Sequence, residues 1–387
     1  MKSRQTWLIA LGVFLIGANL RLPITMIPPL LAPLAQAGLL PHALAGLMTT
    51  IPLAMFAVAS PAIGRLGAKH GVGKVILLAA VALVAGAALR LVPSAWGLLG
   101  GTALVGVGIT GGNVLLPALI KQEFPQHIAV MTTMYTVAMG LIASLGTGTS
   151  GRLAATIGVT KTMALLGGGT IVALVVWLLV MPQLQRQVPS AGVSRLRLTN
   201  QSLAWLIALF FGLQSLLYYS LLTWLPTIWQ NAGFAAVHAG SLATLFQLFS
   251  MPLTLVTPSV AERKHGLAII VAIASGGFAL GLLGILWGPM VFWFQAAMAI
   301  IAGAASGAAF SICIVFFQKK TTTAAATASL SGMAQAGGYL LAAVGPVSFS
   351  WLAAAIAWPG VLWLCVALSL LMGLCGWQII HQPAITI

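Results

Sequence analysis

The side chains in this sequence that could do chemistry are cations and neutral polar groups; carboxylates are almost absent. Arg21 stands out because it interrupts an apolar run that starts at Trp7 and continues past Leu31. Fourteen positions at 1.5 Å each put it roughly 21 Å along a first helix, deep in a bilayer. A charge at that depth costs about 2.5–3.5 kcal/mol on insertion scales, so it must face the protein interior. A carboxylate on a neighbouring helix would normally compensate it. The chain has no Asp, and its only Glu residues, Glu123 and Glu262, sit beside Lys121 and Arg263-Lys264 between apolar runs. Arg21 therefore calls for a negative or polar solute, or a bound anion. The alternative is a structural arginine satisfied by carbonyls and by Asn19.

A second cation, Arg90, falls within about one turn of the outer end of its run, where a long side chain can snorkel to the interface; an outer gate is its other possible role. Further hydrogen-bonding groups lie inside apolar runs: Asn113 in the fourth, Gln214, Tyr218 and Tyr219 in the seventh, and Gln335 and Tyr339 in the eleventh. The last two are four residues apart and share a helix face. Tyr135 in the fifth run and Gln247 in the eighth are further candidates. Such groups either contact a small polar solute or bind helices to one another, at about 0.6 kcal/mol each.

Other chemistries find little support. Gly106-Val107-Gly108 and Gly111-Gly112 lie inside an apolar run, where small residues serve close helix packing, whereas a phosphate loop follows a strand and opens a helix in water. All six histidines fall in connections or at run ends, without zinc-ligand spacing. Cys313, Cys365 and Cys375 sit in apolar runs and are expected to pack. An intramembrane enzyme would need paired acids, a metal site or a Ser–His pair at depth. No metal or cofactor is expected.

The elements that must carry these residues follow from composition. Hydrophobic residues make up 60% and charged residues 5% of 387 positions, too few charges to form a soluble surface. The net charge of +15 comes from Lys and Arg scattered between apolar runs, with no basic face for nucleic acid. Long continuous runs of about 20 residues predict transmembrane helices rather than a barrel. The expected spans are 7–34, 43–64, 74–92, 96–119, 128–150, 162–181, 201–228, 239–260, 267–287, 290–317, 325–350 and 358–379. The first is too long for a signal peptide. Of the seventeen Lys and Arg, all but Arg21, Arg90, Arg152 and Lys161 fall in connections on one side, which predicts both termini in the cytoplasm. The polar stretch 183–200 is the expected cytoplasmic linker between an N-terminal bundle, 1–182, and a C-terminal bundle, 201–387.

The halves also match each other. Lys69-His70-Gly71 falls on Lys264-His265-Gly266, and Met134, Gly146 and Leu153 fall on Met333, Gly345 and Leu352. With a small slip, Pro28 meets Pro226 and Arg21 stands opposite Tyr219. Two parallel six-helix repeats are the arrangement of the major facilitator superfamily.

Several stretches resemble one family of that superfamily, the cyanate/2-nitroimidazole transporters: Leu47-Met48-Thr49-Thr50-Ile51-Pro52-Leu53, Gly112-Asn113-Val114-Leu115-Leu116-Pro117, Phe211-Gly212-Leu213-Gln214-Ser215-Leu216 and Ser329-Leu330-Ser331-Gly332-Met333-Ala334-Gln335. Arg21 followed by Pro28-Pro29-Leu30-Leu31 belongs to the same pattern. The loop Gly64 to Lys74 lacks the usual Asp of the superfamily's acidic-basic motif, and the second-half loop keeps Glu262-Arg263. The resemblance implies an all-α fold with twelve transmembrane helices in two pseudo-symmetric six-helix bundles. It also implies a secondary transporter of the inner membrane for a small polar or anionic solute, acting as a monomer in lipid. A proton-coupled multidrug exporter is the alternative within transport, and an intramembrane enzyme or a sensor the alternative outside it.

Overall fold

The structure, a computed structural model, describes residues 2–124, 126–184, 200–321 and 324–385. Most of the linker expected at 183–200, including Arg186, Arg195 and Arg197, lies outside the described residues. In lipid each backbone N–H and C=O must be satisfied within the chain, and the apolar runs accordingly form helices. They are α1 (Lys2–Ala18), α2 (Leu22–Thr25), α3 (Leu31–Gln36), α4 (Leu47–His70), α5 (Val72–Leu89), α6 (Ala95–Glu123), α7 (Ile128–Ile157), α8 (Val159–Gly167) and α9 (Gly169–Val180). They continue as α10 (Ser202–Asn231), α11 (Ala236–Leu248), α12 (Ser250–Ala261), α13 (Gly266–Trp287), α14 (Phe292–Lys319) and α15 (Ala324–His381).

Among the described residues, eleven segments are long and apolar enough to cross a bilayer. The last of them, 52 residues long, is bent at Ala357 (φ 55°, ψ 170°) and makes two crossings. The all-α, twelve-span expectation therefore holds. Three spans are composite: the first runs through α1, α2 and α3, the sixth through α8 and α9, and the eighth through α11 and α12. Strongly exposed tryptophans sit near span ends, such as Trp7, Trp96, Trp205, Trp287, Trp293 and Trp377, as expected where amphipathic rings meet the headgroups.

The chain divides into two compact units, residues 1–191 and 192–387. In the first unit the broken segment after α1 is enclosed by its own neighbours, with Leu20, Ile24, Met26, Ile27 and Leu30 buried. In the second unit α10 is the most enclosed span, buried along most of its length from Leu203 to Trp229.

Candidate functional site

The first span is not the continuous helix from which the depth of Arg21 was reckoned. α1 ends at Ala18, and Arg21 caps the four-residue α2 from a non-helical position (φ −124°, ψ −34°). Prolines are the physical cause. Pro23, Pro28, Pro29 and Pro33 bring no N–H, and each removes one helical hydrogen bond. Ile27 N–H turns to the Ile24 carbonyl, which Pro28 cannot serve. Side chains from other helices take up the carbonyls left over: Arg90 Nη1 donates to Pro23 O at 2.6 Å and Thr147 Oγ1 to Thr25 O at 3.1 Å. Thr25 Oγ1 in turn donates to Ala143 O at 3.1 Å. Asn19, read as a structural partner, donates Nδ2 to Leu15 O at 2.8 Å and to Gly169 O at 3.3 Å. Irregular backbone at membrane depth survives where protein satisfies it in this way. The Arg21 carbonyl accepts from Ile24 and Thr25 N–H, both at 3.0 Å, which ties its backbone to α2, and the residue itself is half-buried.

The other sequence candidates of this unit lie around the same break. Arg90 does not snorkel: it is 1% exposed, and its Nε donates to Thr102 Oγ1 at 3.0 Å. Position along the run suggested an interfacial side chain. The helix face it occupies turns it inward, against α6 and the broken span. Tyr135, half-buried on α7, packs where a Cβ on Gly17 would come within 2.8 Å of its own Cβ. Asn113 is exposed, and its neighbour Gly112 meets Leu20 of the break. Gly146 of α7 receives Leu22 at a distance that leaves no room for a side chain. Thr25, Thr102 and Thr147 escaped the sequence reading. The orphaned carbonyls were legible from the proline spacing, but the donors that meet them come from distant parts of the chain.

In the second unit the structure brings three of the four tyrosines together. Tyr218 and Tyr219 on α10 contact each other edge to face at 4.9 Å, and Tyr219 meets Tyr339 of α15 at 6.5 Å. Phe211 stands edge-on to Tyr339 at 5.2 Å, and Phe246 stacks on Tyr218 at 6.2 Å. The register of this wall is set by a close crossing of α10 and α15, where a Cβ on Gly338 would lie 3.0 Å from Gly212 N. Tyr218 donates its O–H to Gln247 Oε1 at 3.0 Å, so Gln247 orients the ring from the eighth span. Buried Gln214 donates to Ser215 Oγ at 2.6 Å, and half-buried Gln335 to Ser331 Oγ at 2.7 Å. Both amides keep further hydrogen-bonding capacity. This unit therefore offers aromatic faces, phenols and amides, without a formal charge among them.

The loop motif Glu262-Arg263 lies outside this cluster. Glu262 pairs with Lys319 at 3.2 Å, and the same ammonium donates to Ala261 O at 3.1 Å, closing the end of α12. Exposed Arg263 joins this closure through its backbone, its N–H donating to Val260 O at 3.0 Å.

Two units of apolar helices, with polar side chains held at membrane depth, define a membrane transporter of the twelve-span kind. Residues 9–335 match the Major Facilitator Superfamily, and the chain belongs to that superfamily. It is similar to an uncharacterized transporter, YycB, of Bacillus subtilis (strain 168), 35% identical over 385 residues, 97% of this chain and 94% of the relative. It is also similar to the 2-nitroimidazole transporter of Escherichia coli (strain K12), 35% identical over 347 residues, 87% of this chain and 85% of that one. The cyanate transport protein CynX of the same organism is 27% identical over 344 residues, covering 87% of each chain. The family resemblance drawn from the sequence stretches holds. Among solved structures, a bacterial homolog of the human lysosomal transporter Spinster, inward-facing and unoccupied, superposes with a TM-score of 0.80 at 13% identity. The match covers 98% of this chain and 97% of that one, a likeness of fold.

Proposed function

We propose that this chain carries a small polar or anionic solute of the cyanate or nitroimidazole kind across the inner membrane, as a facilitator or exchanger working by alternating access. The observation that carries this reading is Arg21, held at a break in the first span of a chain with no Asp and with both Glu outside the twelve apolar segments. Arg21 binds the negative end of the solute. Asn113, Gln214, Tyr218, Tyr219, Gln335 and Tyr339 supply neutral hydrogen bonds and ring faces, and buried Arg90, the outer-gate candidate, acts on the pathway only through the first span that it touches. Similarity to the 2-nitroimidazole and cyanate proteins supports the solute class.

Both termini lie in the cytoplasm and the transporter works as a monomer. A cysteine placed at Ala235 is expected to react with an impermeant reagent only from outside; labelling from the cytoplasmic face would reverse the topology.

Among the described residues no carboxylate lies within the spans, and the two histidines there, His238 and His381, stand at span ends, which leaves a proton relay without its usual carrier at mid-depth, while an arginine stays protonated throughout. A monovalent anion entering an inside-negative cell is opposed by about 2.3 kcal/mol per 100 mV, so uptake without coupling requires exchange or a neutral solute. Proteoliposome flux of cyanate and of 2-nitroimidazole, with proton gradient and voltage imposed separately, tests the proposal. Flux abolished by Arg21→Ala in folded protein is the expected result. Uphill accumulation of a permanently charged analogue driven by the proton gradient alone would defeat the facilitator reading.

A further inference from the structure

A fully buried guanidinium is an expensive way to satisfy one carbonyl, since a neutral amide would serve. What distinguishes Arg90 is the carbonyl it holds. Pro23 O lies two residues beyond Arg21, in a helix of only four residues, and the flanking breaks leave α2 few bonds of its own. Besides the bond from Thr25 Oγ1 to Ala143 O, two donors from outside the span fix its carbonyls. Thr147 grips the Thr25 carbonyl, and Arg90 grips the Pro23 carbonyl. The guanidinium is in turn aimed by Thr102, whose Oγ1 accepts from Nε at 3.0 Å while donating to Leu98 O at 2.7 Å. The Arg90 stem packs on Gly101, where a Cβ would come within 2.8 Å of Arg90 Cγ. The rigid fork of an arginine reaches Thr102 from Nε and Pro23 from Nη1 in fixed directions, whereas a lysine has only one nitrogen on a flexible stem. Because the Arg21 carbonyl is bonded to Ile24 and Thr25, a shift of α2 carries Arg21 with it.

We infer that Arg90 is a positioning residue. It braces the broken first span from the C-cap of α5 and sets the direction in which Arg21 projects. The inference rests on the solute-binding role proposed for Arg21 only for its functional consequence; the geometric part stands without it.

The test uses the thiol reactivity of Arg21→Cys in the full chain with Cys313, Cys365 and Cys375 changed to alanine. Adding Arg90→Met is expected to change the rate of methanethiosulfonate labelling at position 21 about fivefold, as loss of an interaction near 1 kcal/mol would. Adding Arg90→Lys, which restores one donor to Pro23 O, returns the rate most of the way. In the Arg21 chain, Arg90→Met weakens cyanate binding about tenfold and Arg90→Lys recovers part of it. An unchanged labelling rate in folded Arg90→Met overturns the brace. Where Arg90→Met does not fold, Thr102→Val, which keeps the shape and removes the oxygen that aims the guanidinium, is expected to shift the rate about threefold. No shift there also overturns the brace. The proposed function fails separately, if Arg21→Ala leaves cyanate binding intact; the labelling result is indifferent to that outcome.

Discussion

The first span of each unit starts from a similar sequence problem and solves it differently. In the span Ser202–Asn231 a single proline, Pro226, removes one hydrogen bond, and the helix continues unbroken for 30 residues. In the span Thr6–Gln36 four prolines fall within eleven residues, and the helix gives way between Ala18 and Leu22 and again before Leu31. Chemistry follows backbone. The broken span carries a cation next to irregular backbone whose carbonyls Arg90 and Thr147 satisfy, at a depth where charge is otherwise expelled. The unbroken span carries tyrosines, because ring faces need a fixed helical register to meet Tyr339, and the Gly212–Gly338 crossing supplies it. The first unit thus holds an arginine at its break, and the second a wall of rings.

That division predicts a crossed pattern of selectivity. Arg21→Ala is expected to weaken cyanate binding about a hundredfold, the scale of one or two charge-assisted hydrogen bonds. The same change costs a neutral 2-nitroimidazole far less. Tyr339→Leu is expected to do the reverse, weakening 2-nitroimidazole about tenfold through lost ring contact while sparing cyanate. Calorimetric titration of both variants with both solutes reads the pattern directly. Equal losses for the two solutes in either variant would mean that the units are not specialised.

Hydropathy alone disclosed the spans, because lipid tolerates little except continuous apolar helices. It also disclosed Arg21, because a charge inside such a run has few explanations. Hydropathy did not disclose direction around each helix. Arg90 lies near the end of its run, where snorkelling is the ordinary outcome, and only tertiary packing turns it inward to Pro23. The same limit hid the pairing of Tyr218 with Gln247, 29 positions apart on different spans. The break itself was written in the prolines at 23, 28, 29 and 33. Reckoning the depth of Arg21 by a constant helical rise passed over it, since span length is insensitive to an interruption of three residues.

The finest point of comparison is a pair of turns. The fifth and sixth spans meet at Gly158 (φ 86°, ψ 156°), and the eleventh and twelfth at Ala357 (φ 55°, ψ 170°). The two positions are 199 residues apart, the offset that also pairs Gly146 with Gly345. Those two glycines perform equivalent tasks, one receiving Leu22 of the first span and the other Leu216 and Ser220 of the seventh. The turn is thus conserved between repeats while its residue is not. A positive φ with an extended ψ is nearly reserved for glycine and costs other residues about 1–3 kcal/mol. Ala357 bears that cost and Gly158 does not. Against it stands the larger conformational entropy of glycine in the unfolded chain, about 0.4–1 kcal/mol. Ala357→Gly is therefore expected to stabilise the protein by about 1 kcal/mol. Gly158→Ala is expected to destabilise it by a similar amount, and there the cause is isolated. Nothing lies within 4 Å of a Cβ built on Gly158, so packing cannot contribute and only the backbone is strained. Thermal denaturation midpoints in one detergent, measured for both substitutions, decide the matter. If Gly158→Ala leaves the midpoint unchanged, the turn in the first repeat relaxes freely. Its likeness to the strained turn at Ala357 would then be one of position along the chain and not of backbone energy.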